Sequence, residues 1–237
     1  MSITVAKSAG FCFGVSRAVE LVESAASRGE PTLTLGPIIH NRHVVRRFQE
    51  MGVRVIQQPE EAKPGDTVII RSHGVSREVY QRLEAQGATI VDATCPFVKR
   101  IHKLVSQAEQ EGKLPIIIGT PTHPEVEGIA GWCKECKVFA DVESLKKWVQ
   151  DAAIPGDLPV CMVSQTTSTE ILWKKCVNFA KKQFTYLQTF DTICKATECR
   201  QREASELSQR CEAMVVVGDL KSSNTGRLAM ICREHCD

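Results

Sequence analysis

The chain has 237 residues, of which 43% are hydrophobic and 24% charged, and its net charge is +2. That size supports a substantial core, and so balanced a charge gives no bulk electrostatic argument for a nucleic acid or a membrane surface as partner. No apolar run approaches the roughly 20 residues of a bilayer span, and the N-terminus MSITVAKSAG lacks the shape of a secretory signal, so a cytoplasmic protein is expected.

In chain order, Ile3 to Val5 reads as a short strand leading into Gly10-Phe11-Cys12-Phe13-Gly14. Apolar residues at 18, 19, 22, 25 and 26 then recur at helical spacing. Thr32 to Gly36 is a strand, followed by a loop with His40 and Asn41, a helix over Val44 to Met51, and a strand at Val53 to Ile56. Pro64-Gly65-Asp66 is turn chemistry. Thr67 to Ile70 is a buried strand that ends in Arg71-Ser72-His73-Gly74, and a helix with Val79, Tyr80 and Leu83 leads to a strand at Thr89 to Val91. Such alternation predicts parallel sheets with helical crossovers, whose ligand loops lie beyond the strand carboxyl ends.

From Cys95 the plan starts again. It predicts a helix, the strand Leu114 to Gly119, and a polar loop carrying His123 and Glu125. A strand at Val138 and Phe139, a helix over Val142 to Gln150, a strand at Pro159 to Val163, the loop Ser164-Gln165-Thr166-Thr167 and a helix over Ile171 to Lys181 follow. A third start comes at Cys194, with a helix through Leu207, a strand at Met214 to Val217, the loop Ser222-Ser223-Asn224, and a helix over Arg227 to Arg233. The register is shared: Cys12 to Gly36, Cys95 to Gly119 and Cys194 to Gly218 each span 24 residues. A repeated supersecondary unit accounts for this. Three such units around a pseudo-threefold axis would bring three thiols together and three polar loops to one rim.

Eleven cysteines are many for a reducing compartment, where metal or redox chemistry is a better explanation than disulfides. Cys161, Cys176 and Cys211 sit in apolar patterns and are expected to be core residues. Cys12, Cys95 and Cys194 each head a helix, a position that favours thiolate. Three thiolates on one axis suit a cubane iron–sulfur cluster with one open iron. His40, His73, His123, Ser222, Ser223 and Asn224 on the rim, followed by helix N-termini, suit a phosphate or diphosphate. Arg71 could add charge there or point outward. Glu125 in a closed cavity could hold a proton near neutral pH as a general acid, with Thr166 positioning that proton or a substrate hydroxyl. The pairs Cys133/Cys136 and Cys232/Cys236 leave a structural zinc site open as a competing reading.

The motifs GFCFGV, GPIIHN, RSHGV, DATCP, GTPTHPEVEG, VSQTT, DTIC and VVGDLKSSNTGRL, in this order, closely resemble those of the 4-hydroxy-3-methylbut-2-enyl diphosphate reductase family. The resemblance spans essentially the whole chain. It implies a three-lobed α/β trefoil of small parallel-sheet domains around a central iron–sulfur site, with lobes at 13–94, 95–190, and 191–237 plus 1–12. It also implies one [4Fe-4S] cluster on Cys12, Cys95 and Cys194. Substrate diphosphate would lie on His40, His73, His123, Ser222, Ser223 and Asn224. Glu125 and His123 would serve the proton chemistry, and Thr166 would orient the hydroxymethyl group. Electrons in the family come from reduced ferredoxin or flavodoxin. The products are isopentenyl and dimethylallyl diphosphate, at the end of the methylerythritol phosphate route to isoprenoids. The family continues past the serine-rich loop with a further strand, another diphosphate-binding serine and a closing segment, so the third lobe is expected to be incomplete. The alternative is a truncated relative that binds cluster or diphosphate without turnover.

Overall fold

The computed structural model describes residues 3–236. Two parallel four-stranded sheets dominate it. The first holds β1 (Thr32–Leu35), β2 (Arg54–Ile56), β3 (Thr67–Ile70) and β4 (Thr89–Asp92) in the order β2-β1-β3-β4. Its helices are α1 (Phe13–Ala26), α2 (Arg42–Glu50) and α3 (Arg77–Ala85). The second sheet repeats the order as β6-β5-β7-β8, with β5 (Leu114–Ile118), β6 (Lys137–Phe139), β7 (Val160–Ser164) and β8 (Leu187–Thr189). Helices α4 (Pro96–Gln110), α5 (Pro124–Ala130), α6 (Val142–Asp151) and α7 (Glu170–Gln183) cover it. Two further helices follow, α8 (Lys195–Ser208) and α9 (Ser223–Cys232).

Strands β1, β3 and β7 are buried at every position and β5 at all but its first, as strands covered on both sheet faces require. In the first sheet Ile69 packs with α1 and α2, while Val68 and Ile70 pack with α3. In the second, Ile116 and Ile118 face α6 and α7, and Ile117 faces α4 and α5. Each fully buried Ile stabilises the fold by roughly 1.5–3 kcal/mol. The stripe on α1, Gly14, Ala18, Val22 and Ala25, is small because the helix lies close to its sheet. Polar caps set several helix starts: Asn41 accepts from the amides of His43 and Val44, and Ser76, Thr169 and Ser222 cap α3, α7 and α9.

In both sheets the strand order reverses between the first and third strands, β1/β3 and β5/β7. Loops beyond these strands flank the crevice where open α/β sheets hold ligands. His40 follows β1, His73 follows β3, Glu125 follows β5 and Thr166 follows β7.

The third unit departs from expectation. Among the described residues neither 3–5 nor 214–217 forms a strand. Ile3, Val5, Val215 and Val217 are 75–90% exposed. Their apolar pattern suits a strand, but a strand needs a hydrogen-bonded neighbour and a covered face, and here these segments have neither. The helix α9 starts at Ser223, four residues ahead of its predicted start, because the Ser222 hydroxyl caps it. Cys161 and Cys176 are core residues as expected, whereas Cys211 lies in the turn after α8 and is half-exposed. No helix among the described residues is long and apolar enough to cross a membrane.

Candidate active site

Cys12, Cys95 and Cys194 occupy equivalent places, each the residue preceding the first turn of α1, α4 and α8. Two are held by the same contact: Cys95 donates its amide to the Ser72 carbonyl at 2.9 Å, and Cys194 donates to the Thr166 carbonyl at 3.0 Å. Ser72 and Thr166 both lie two residues beyond their strand ends, so each thiol is fixed from the previous sheet. The segment before Cys12 is held by α8 instead. Arg200 donates to the carbonyls of Ser8 and Gly10, and Glu203 accepts from the amides of Lys7 and Ser8.

The three thiols share one neighbourhood. Burial raises the Cys95 pKa, the amides of Phe97 and Val98 pull it down, and the Cys12 and Cys194 sulfurs push it up again. Helix position alone was expected to favour thiolate. At Cys95 burial outweighs it. Gly14 is the close approach on this side, since a Cβ there would sit 2.6 Å from the Cys95 sulfur.

His40, His73 and His123 form a second cluster. Their ring centroids are 4.6 to 6.1 Å apart, and one nitrogen from each lies within 4.8 Å of the others. Burial is the main cause that lowers all three pKa values, His73 well below the usual range and His123 to about 4. Arg71 lowers each of them further, so its charge lies near the cluster. The guanidinium passes over Gly36, where a Cβ would meet it at 2.8 Å and where φ is +68°. Arg71 Nε, His73 Nδ1 and Asn224 Oδ1 are buried without a partner. Three close imidazoles could ligate a metal ion, but the Arg71 charge beside them disfavours a cation, and imidazole N–H donors with a guanidinium suit an anion.

Glu125 is 3% exposed. It lies in the first turn of α5, a helix capped by the His123 ring, so the predicted polar loop is in fact a helix start. Its carboxylate accepts from the Thr166 amide and from the Thr166 hydroxyl, both at 2.7 Å. Burial nevertheless raises the Glu125 pKa above the ordinary carboxylate value, against those two bonds. The rim closes from the third unit. Ser223 accepts from the Thr167 hydroxyl at 3.1 Å, and Asp219 and Lys221 are near enough to shift His40.

Sequence reasoning passed over Gln165 and Thr167. Gln165 anchors the β5 loop by accepting from the Thr120 amide. Both lie in the VSQTT loop, beside the residue that was singled out. The two other cysteine pairs do not meet as one site. Among the described residues the one group of three or more metal-ligating side chains within 4.8 Å is the histidine cluster, which removes the four-cysteine zinc reading.

The family model described as "LytB protein" matches residues 3–237. A 4-hydroxy-3-methylbut-2-enyl diphosphate reductase of Caldanaerobacter subterraneus is 41% identical over 241 residues, covering 100% of this chain and 82% of the relative. One from Geobacter is also 41% identical, covering 99% of this chain and 81% of the relative. Among solved structures, the (E)-4-hydroxy-3-methyl-but-2-enyl diphosphate reductase described as the terminal enzyme of the non-mevalonate pathway aligns with a TM-score of 0.74 at 37% identity, over 99% of this chain and 83% of that one. The corresponding reductase of Plasmodium falciparum aligns with a TM-score of 0.89 at 28% identity, over 95% of this chain and 71% of that one.

Proposed function

Because the chain belongs to the LytB protein family, we propose that it is a 4-hydroxy-3-methylbut-2-enyl diphosphate reductase of the methylerythritol phosphate pathway. It removes the substrate hydroxyl as water with two electrons and two protons, and releases isopentenyl and dimethylallyl diphosphate. The observation that carries this reading is the meeting of three helix-start thiols, a histidine–arginine anion site and one buried carboxyl at the switch points of two sheets.

In this reading the lobes 13–94, 95–190, and 191–237 with 1–12 surround a [4Fe-4S] cluster held by Cys12, Cys95 and Cys194. The donor set fits. The Cys12 and Cys194 sulfurs are both near enough to shift Cys95, yet the three do not all lie within 4.8 Å of one another. That spread is too wide for a single ion with metal–sulfur bonds of about 2.3 Å, and three cysteine sulfurs are the ligand type that a multi-iron cluster takes. When bound, the cluster supplies the electrons for the reduction, received from reduced ferredoxin or flavodoxin.

The protein's own groups do the rest. His40, His73 and His123 donate to the diphosphate, Arg71 adds fixed positive charge, and Ser222, Ser223 and Asn224 close the far side. Bound diphosphate raises the histidine pKa values from their lowered free values, so binding takes up protons. Glu125 holds a proton in its buried position, and Thr166 aims it at the substrate hydroxyl and shares it through its own hydroxyl. His123 ties the two halves together, because its ring caps the helix that carries Glu125.

The test is anaerobic turnover of 4-hydroxy-3-methylbut-2-enyl diphosphate with a reduced viologen, read as formation of the two isoprenoid diphosphates. Isoprenoid product supports the reading. An iron-replete protein without product supports the second reading, a relative that binds cluster or diphosphate without turnover.

A further inference from the structure

The function described above leaves the Cys133-Lys134-Glu135-Cys136 motif unused. The two side chains lie close enough to shift each other, and the Cys133 thiol donates to the Ala130 carbonyl at 3.5 Å. Both are half-buried, so a small reagent can reach them. Cys136 and burial raise Cys133, while Cys133 and Lys137 lower Cys136, and the Ala130 carbonyl holds the Cys133 proton in place. One sulfur is therefore the better nucleophile and the other keeps its proton. Glu109 accepts from the Lys134 amide and adds negative charge beside Cys133, with Arg77 opposing it. The other close pair is less accessible: Cys232 is 4% exposed, and Cys236 donates its thiol to the Cys232 carbonyl at 3.7 Å. Cys161 and Cys176 are fully buried, with pKa values pushed up to about 11.

The motif also has a mechanical position. Immediately before it, Gly131 and Trp132 clasp the loop that follows His73. The Trp132 indole donates to the Val75 carbonyl at 2.9 Å, and the Arg77 amide donates to the Gly131 carbonyl at 3.2 Å. Gly131 allows this approach, since a Cβ there would fall 2.1 Å from Cβ of Ser76. Trp132 is further packed between Arg77, 5.3 Å from its ring, and His102, stacked at 4.9 Å. The helix α5 runs from this clasp back to Glu125 and His123.

We propose that Cys133 and Cys136 are a thiol–disulfide exchange site for low-molecular-weight disulfides, placed to alter the clasp between α5 and the His73 loop. In the first step the Cys136 thiolate attacks one sulfur of the disulfide, whose S–S bond breaks and releases one thiolate. In the second, Cys133 gives its proton to solvent and attacks the Cys136 sulfur, which expels the second thiolate. Two protein thiols are oxidised to one disulfide, and one small disulfide is reduced to two thiols. The link to the clasp rests on the reductase reading, whereas the exchange chemistry does not.

The experiment equilibrates the cluster-loaded full chain anaerobically in glutathione buffers of graded oxidised-to-reduced ratio, alkylates free thiols, and maps tryptic peptides. Cleavage after Lys134 separates the two cysteines, so only a bridge keeps their peptides joined. The joined peptide is expected to accumulate with oxidised glutathione and to disappear when reduced glutathione is restored. Cys133→Ser should leave a glutathione adduct on Cys136, while Cys136→Ser should leave Cys133 unmodified. Full alkylation of both cysteines at every ratio, or an adduct that favours Cys133, overturns the exchange site whatever the turnover. If the bridge forms, the oxidised protein should show a KM raised roughly two- to tenfold, the worth of one net hydrogen bond. The double variant Cys133→Ser/Cys136→Ser should not respond. Equal KM values for oxidised and reduced protein overturn the link to the clasp.

Discussion

Replacing Thr166 by valine removes one hydroxyl from the centre of the proposed chemistry and almost nothing else. The side-chain volume is kept, and so is the Thr166 amide bond to Glu125. What is lost is the 2.7 Å bond from Oγ1 to Oε2 of a carboxyl that is 3% exposed. A hydrogen bond to a charged group is worth about 1.5–3 kcal/mol, and one pKa unit corresponds to about 1.36 kcal/mol. The lost donor had favoured the carboxylate, so the Glu125 pKa should rise by about 1–2 units from its already raised position. A general acid must be protonated to act. The basic limb of kcat/KM should therefore move up by the same amount in Thr166→Val, while the plateau falls because a weaker, less well aimed acid remains. Thr166→Ser should restore both. The assay is anaerobic viologen-coupled turnover across pH, with the cluster checked by absorbance at each point. A cluster-loaded Thr166→Val protein whose basic limb stays in place would refute the coupling of Thr166 to Glu125.

Other expectations follow from the same geometry. Glu125→Gln should lower turnover by about 10²–10⁴-fold, the usual contribution of a positioned acid, with an unchanged cluster spectrum; near-normal turnover would remove Glu125 from the chemistry. Gly14→Ala puts a methyl group 2.6 Å from the Cys95 sulfur, so iron content per chain should drop while far-ultraviolet circular dichroism is kept. Affinity for inorganic diphosphate should be highest at low pH and fall as pH rises through the bound-state histidine pKa values, since His40, His73 and His123 start below the usual range; affinity that is flat with pH by calorimetry would contradict this. His102 is buried with a pKa near 4, so the unfolded chain binds its proton first, and stability should rise with pH between about 4 and 6.5. His102→Phe keeps the Trp132 stack, and urea melts should show that slope reduced by about 1.4 kcal/mol per pH unit.

Much of this site was readable from spacing. A repeat of 24 residues between cysteine and loop glycine set the three thiols in equivalent places, and parallel-sheet topology put the polar loops on one rim. The unread parts share a cause, because each depends on contacts distant in sequence. The side to which Arg71 points follows from Gly36, 35 positions earlier, over which it passes. Glu125 read as part of a polar loop after the strand, whereas proline at the first helical turn starts α5 there. The strand β8 was missed because Leu-Gln-Thr has no apolar run; it exists because it pairs with β7. Residues 3–5 and 214–217 show the converse, a strand-like pattern that finds no partner.

The proposed reduction depends on the three helix-start cysteines. Anaerobic reconstitution with iron and sulfide, followed by iron analysis and electron paramagnetic resonance of the dithionite-reduced protein, tests them directly. The wild-type chain should bind about four irons and give a reduced-cubane signal, both lost when Cys12, Cys95 or Cys194 is singly replaced by serine. An unaltered signal in any one of those variants, or a wild-type chain that takes up no iron, would contradict it.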